Sequence, residues 1–136
     1  MRKIKFRGWD ATGQKGWVYG DLVHNQKVTK KGLEPRTMVG GYEVVPESVG
    51  QFTGLTDKNN KEIYEGDIVE CVSWNEYFSK DGQPMEHFRR KMYVDFRKGG
   101  FKMVEPMPEP MTDNVWDIIF NGDIVIIGNI YEQHNK

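Results

Sequence analysis

The chain has 136 residues, a formal net charge of −1, 12% aromatic residues and a single cysteine. This length fits one domain, or one domain with a small appendage, and the aromatic content excludes a disordered chain. The near-zero charge excludes a global field toward nucleic acid or membrane, and a lone cysteine excludes an internal disulfide or a cysteine-rich zinc site.

Charge is less even locally. Residues 1–36 carry nine Lys/Arg against three Asp/Glu, and residues 103–136 carry one Lys against six Asp/Glu. The two ends can attract within the fold or between subunits, although two solvated faces explain the same pattern. No apolar run approaches the ~18 residues of a membrane span. The basic start is not followed by an apolar stretch, so it is not a secretory signal. A soluble, cytoplasmic protein is expected.

Residues 3–7 alternate charged and apolar side chains, the period of a half-buried strand with Ile4 and Phe6 facing in. Residues 10–13 read as a turn in which Gly13 takes positive φ. Residues 17–23 form a second strand and complete an N-terminal hairpin. Residues 24–41 show little periodicity, with a weak strand near Val28 and then a mobile loop through Gly32 and Pro35. Residues 42–45 are a short strand. Pro46 suits a first helical position, so 46–49 is a turn or one helical turn.

Residues 50–69 hold two turns and two short apolar runs. Residues 51–53 are extended. The Asp57-Lys58-Asn59-Asn60-Lys61 segment reverses the chain, with Asn59 or Asn60 in the left-handed position. Ile63 and Tyr64 pair back. Glu65, Gly66 and Asp67 make a second corner into a strand over 68–74.

Residues 75–87 are a loop insertion, and 88–96 a strand with Phe88, Met92, Val94 and Phe96 on one parity. A turn at 98–100 leads into a strand at 101–104, giving a second hairpin. Three prolines in 105–110 make an extended connector. A short helix fits 111–120 best, and Asn121-Gly122 is the strongest two-residue hairpin signal. Residues 124–131 are the most β-prone run, buried on both faces or in an oligomer contact. The polar tail from Glu132 is expected to fray. Many short strands with glycine turns imply a small barrel or sandwich.

Catalytic constellations are sparse. His24, His87 and His134 are far apart and lack metal-ligand spacing. Ser48, Ser73 and Ser79 lie outside any nucleophile elbow, and Cys71 sits within a strand as a small apolar residue. Glu62, Glu65 and Asp67 cluster and could bind a divalent ion or act as acid and base. Their plain alternative is structural, with Gly66 supplying the unusual φ and Asp67 accepting local backbone hydrogen bonds. Cations alternate with rings twice: Lys3, Lys5 and Arg7 with Phe6 and Trp9, and Arg89, Arg90 and Lys91 with Phe88, Tyr93 and Phe96. Such a face can track phosphates while rings stack on bases. A strand with rings in and cations out shows the same alternation.

The opening residues 1–10, the run Val18-Tyr19-Gly20-Asp21, the stretch 49–69 and the closing run 126–132 together resemble the YopX family of phage and prophage proteins. Asn60 stands where the family commonly has Gly. The resemblance implies a mostly β fold containing an SH3-type small barrel, here with an N-terminal β-hairpin extension and at most short helices. The chain is read as one structural unit, a hairpin and loop region, 1–49, packed on a barrel, 50–136, with the loop insertion 75–87. The resemblance implies no catalytic residues and no cofactor. The expected function is that of a non-enzymatic phage or prophage accessory module that self-associates and contacts a protein or nucleic acid. The candidate contact residues are Lys27, Lys30, Lys31, Arg36, Arg89, Arg90 and Lys91. The alternative is a small hydrolase or divalent-metal enzyme using Glu62, Glu65 and Asp67.

Overall fold

The computed structural model describes residues 3–73, 88–97, 99–104, 115–117 and 124–134. The fold is mostly β, with antiparallel pairing throughout and one short α-helix among the described residues. The chain divides into two compact units, Met1–Gly54 and Leu55–Lys136.

In the first unit, β1 (Phe6–Trp9) pairs on one edge with β2 (Trp17–Gly20) and on the other with the start of β6 (Gly50–Thr56). Its core is Val18, Val39 and Val44, with Phe6, Leu22 and Val49 packed around them. Gly8 shares the inward face with Phe6, and a Cβ there would lie 2.8 Å from Val44. Only glycine lets that valine close on the strand.

Of the alternation expected over 3–7, Phe6 faces the core as read, but Ile4 and Arg7 do not follow it. Ile4 precedes β1 and is 63% exposed, whereas Arg7 is only 7% exposed. The Arg7 guanidinium lies 4.6 Å over the Trp17 ring, and Trp17 meets Trp9 edge-to-face at 5.4 Å. A cation held over an aromatic face keeps part of its stabilisation when buried.

The Asp10 turn follows the sequence reading, with Gly13 at φ 77°. The strand expected over 17–23 instead breaks after Gly20, whose φ is 148°. An added Cβ at Gly20 would meet the Gly40 Cα at 2.7 Å, so the two backbones touch there. The weak strand expected near Val28 lies within a longer one, and the mobile loop expected through Gly32 and Pro35 is instead a second strand of a regular hairpin. β3 (Leu22–Thr29) and β4 (Gly32–Val39) pair at every position from Leu22↔Val39 to Thr29↔Gly32. Its tip is exposed on both faces, which removes the hydrophobic period that a sequence reading needs. β5 (Tyr42–Glu43) pairs with the root of β4, and Pro46–Ser48 forms one 3-10 turn with proline near its start.

In the second unit, β7 (Glu62–Tyr64) follows the reversal at 57–61. A five-stranded sheet has the order β11-β10-β9-β8-β12, built from β8 (Asp67–Ser73), β9 (Phe88–Arg97), β10 (Gly100–Val104), β11 (Val115–Asp117) and β12 (Ile124–Asn129). Its core is Ile63, Val69, Met92, Val94, Met103 and Ile124. Met92 and Val94 face in as their parity predicts, but Phe96 is largely exposed and meets Phe101 edge-to-face. The sheet does not close on itself among the described residues.

Four expectations for the C-terminal part change. Val115–Asp117 within the expected helix is a strand on β10. β11 and β12 lie on opposite edges of the sheet, so they are not the two arms of an Asn121-Gly122 hairpin. The β12 strand is not buried on both faces: its register shifts between Ile126 and Gly128, and Ile127 is exposed. The tail expected to fray begins as helix α1 (Ile130–His134), because the Asn129 Oδ1 accepts the Glu132 N–H at 2.8 Å. That is a capped helical start, with Asn129 and Glu132 at capping-box spacing. Trp74, the insertion at 75–87, the proline connector and residues 121–122 lie outside the described residues.

Candidate functional site

The β3–β4 hairpin gathers four of the seven candidate contact residues. Lys30 and Lys31 make its two-residue connection and are exposed. The turn is set locally: the Thr29 hydroxyl accepts the Lys31 N–H at 3.1 Å and donates to the Gly32 carbonyl at 3.3 Å. Gly32 takes φ 106°, a region that disfavours side chains. The Lys27 ammonium contacts the Glu43 carboxylate at 2.7 and 2.9 Å. The Arg36 Nε donates to Asn25 Oδ1 at 2.7 Å.

The ribbon has two unlike faces. Positions 23, 25, 27, 34, 36 and 38 share one, which carries Lys27, Glu34 and Arg36. The other begins in the core at Leu22 and Val39 and runs outward through His24, Gln26, Val28, Leu33, Pro35 and Thr37, with no formal charge if His24 is neutral. Val28 and Leu33 face each other across the strands near the tip and are 83% and 65% exposed. Pro35 is tolerated because β4 pairs on its other side only at its root.

The other basic cluster lies in the second unit. Arg89, Arg90 and Lys91 sit in β9 opposite Val72, Cys71 and Glu70. Lys91 is exposed, and the side chains of Arg89 and Arg90 lie outside the described residues.

Gly66 and Asp67 are arranged as the structural alternative anticipates. Asp67 is 1% exposed, and its Oδ2 accepts the Tyr64 N–H at 2.7 Å, with Gly66 between them at φ 94°. Glu62 Oε1 accepts the Tyr64 hydroxyl at 3.2 Å. Among the described residues, no three His, Cys, Asp or Glu side chains are grouped as a metal-ligand set. Ser48 also has a structural use: its Oγ accepts the Trp9 N–H at 2.7 Å and donates to the Val45 carbonyl at 2.6 Å.

Sequence reasoning missed the role of Asp57, which is 5% exposed. Its Oδ1 accepts the N–H groups of Asn59 at 2.8 Å and Lys61 at 2.9 Å. Its Oδ2 accepts the Ile126 N–H at 3.1 Å, and the Lys58 N–H donates to the Ile124 carbonyl at 2.8 Å. The reversal therefore covers part of the outer edge of β12, which would otherwise offer unpaired backbone groups. Asn60 is the left-handed residue of the turn, at φ 66°. Asp two residues before Asn, ahead of a strand, was the available local signal for an Asx turn. Its attachment to a strand 69 positions away had no local signal.

No helix among the described residues is long and apolar enough to cross a membrane. The fold and site define a mostly β class of protein in which the 57–67 run is architectural and four of the candidate contact cations share one hairpin. The family model described as YopX protein matches residues 5–135, and the chain belongs to that family. Its fold is similar to the crystal structure of protein EF1440 from Enterococcus faecalis. The TM-score is 0.51 and the identity 22%, over 98% of this chain and 97% of that one. No curated protein matches the chain.

Proposed function

We propose that this chain is a non-enzymatic accessory protein of phage or prophage origin, a binding module of the host cytoplasm whose contact element is the β3–β4 ribbon. One observation carries the reading: the ribbon keeps eight residue pairs in register while burying only Val39. Residues 24–37 therefore serve little in the core, and exposed residues on an ordered element are suited to contact. The strand order β12-β8-β9-β10-β11 supports an SH3-type barrel in the second unit, since a meander whose last strand returns to its first has the connectivity for closure. The side chain of Asp67, turned onto backbone, argues against the divalent-metal alternative.

Replacing residues 25–36 by Asn-Gly, a two-residue hairpin turn, tests the ribbon. The expected result is a cooperative thermal melt within a few degrees of wild type, together with loss of function in a phage-growth or prophage-induction assay. Full retention of that function overturns the ribbon as contact element. Stabilisation by magnesium, manganese or zinc that disappears in Glu62→Gln with Glu65→Gln favours the enzymatic alternative instead. Self-association belongs to the same proposal and is assigned to exposed Ile127 and Ile130 in the second unit. Sedimentation velocity showing a strict monomer at high concentration removes that part.

A further inference from the structure

We infer that the β3–β4 ribbon binds B-form DNA by lying in the major groove, with the uncharged face of the ribbon toward the base edges and Lys30 and Lys31 on the phosphates. The inference rests on the reading of the chain as a binding module and names the partner of that site.

Charge selects the class of partner. Residues 22–39 carry Lys27, Lys30, Lys31 and Arg36 against Glu34 alone, in a chain whose net charge is −1. The ribbon is thus one of the basic stretches of the chain, and its two exposed lysines sit at the tip. Shape selects the form. A two-stranded ribbon fits the ~12 Å major groove of B-DNA, whereas the deep, narrow major groove of an RNA duplex excludes side chains. The six residues per strand beyond the core, from the His24↔Thr37 pair to the Thr29↔Gly32 pair, span about 20 Å, enough to lie along more than half of one helical turn. Composition selects duplex over single strand. Single-stranded partners are held by stacking on aromatic rings, and residues 22–39 contain no Phe, Tyr or Trp.

The two faces then take different roles. Gln26 presents an amide suited to adenine, and exposed Val28 and Leu33 are suited to thymine methyl groups. Lys27 and Arg36 point to the opposite face, where Glu43 and Asn25 hold them. The tip lysines supply a sequence-independent, salt-sensitive component.

Fluorescence anisotropy of a labelled 20-bp mixed-sequence DNA duplex, titrated with the full chain over a series of salt concentrations, tests this. Wild type is expected to bind at low salt and weaken steeply as salt rises. Lys30→Gln with Lys31→Gln should make the log–log salt slope shallower by about 2. Val28→Ser with Leu33→Ser should weaken binding about tenfold without changing that slope. Both pairs are exposed, and thermal melts should show that the variants fold. No duplex binding at low salt, an unchanged slope in the lysine variant, or tighter binding to an equal-length RNA duplex or single strand overturns the inference. If DNA is not bound but the ribbon-shortened chain still loses function in the phage assay, the DNA assignment falls while the binding-module reading stands.

Discussion

Two aspartates organise the turns from which their neighbours depart. Asp57 gathers three backbone N–H groups, two local and one from β12. A hydrogen bond to a charged acceptor contributes about 1.5–3 kcal/mol, and stranded buried donors add to the loss. Asp57→Ala is expected to lower unfolding free energy by about 3 kcal/mol in urea titration, and Asp57→Asn by less, since an amide oxygen keeps some of the acceptors. A loss under about 0.5 kcal/mol would show that the edge of β12 does not need this turn. Asp10 works on a smaller scale. The Thr12 hydroxyl bonds it at 2.7 Å and the Lys15 N–H at 3.1 Å, and together they hold its carboxyl below the ordinary 3.8. A depressed carboxylate contributes stability that is present above the unfolded pKa and is lost as pH falls through the folded one. The Asp10 turn should therefore loosen only in acid, below the ordinary carboxylate range. Thr12→Ala should move the Asp10 titration, followed by carboxyl-carbon NMR, upward toward 3.8. An unmoved titration would mean that the hydroxyl is not the principal cause.

At the scale of elements, capping and turn chemistry were legible where they are local. The 57–61 reversal, the Gly66 corner and the Pro46 turn all stand where the residues place them. The start of α1 carried its own signal in Asn129 and Glu132, overlooked because the run before it reads as continuous strand. Asn129→Ala should cost about 1 kcal/mol and abolish the helical carbon shifts over 130–134. Helical shifts that persist would assign the helix to its packing rather than its cap. The ribbon is legible only near Val28, and its second arm is hidden for the opposite reason. Its exposed tip offers no apolar period, and its pairing is satisfied by backbone hydrogen bonds that sequence alone does not display.

For the molecule as a whole, burial separates the residues that hold the fold from those free to contact a partner. Met103, 1% exposed, lies in the core of the second unit, so Met103→Ala should cost about 2–5 kcal/mol. Val28, on the ribbon, should tolerate Ala within about 0.5 kcal/mol, and comparable losses at the two positions would show that the ribbon tip is packed. By itself the sequence determined the mostly β character, the family and the turns at 10–13, 46–48, 57–61 and 65–67, because alternation, glycine and Asx chemistry act over a few residues. Tertiary structure alone decided that Arg7 turns onto Trp17 while Ile4 stays out, that β11 and β12 take opposite edges, and that the Asp57 turn closes over β12. Those outcomes depend on which strands meet, and contacts between residues far apart in the chain leave no local pattern. The candidate site follows the same division: its lysines were visible in the sequence, but the ribbon that separates a charged face from an uncharged one emerged only once β3 and β4 were paired.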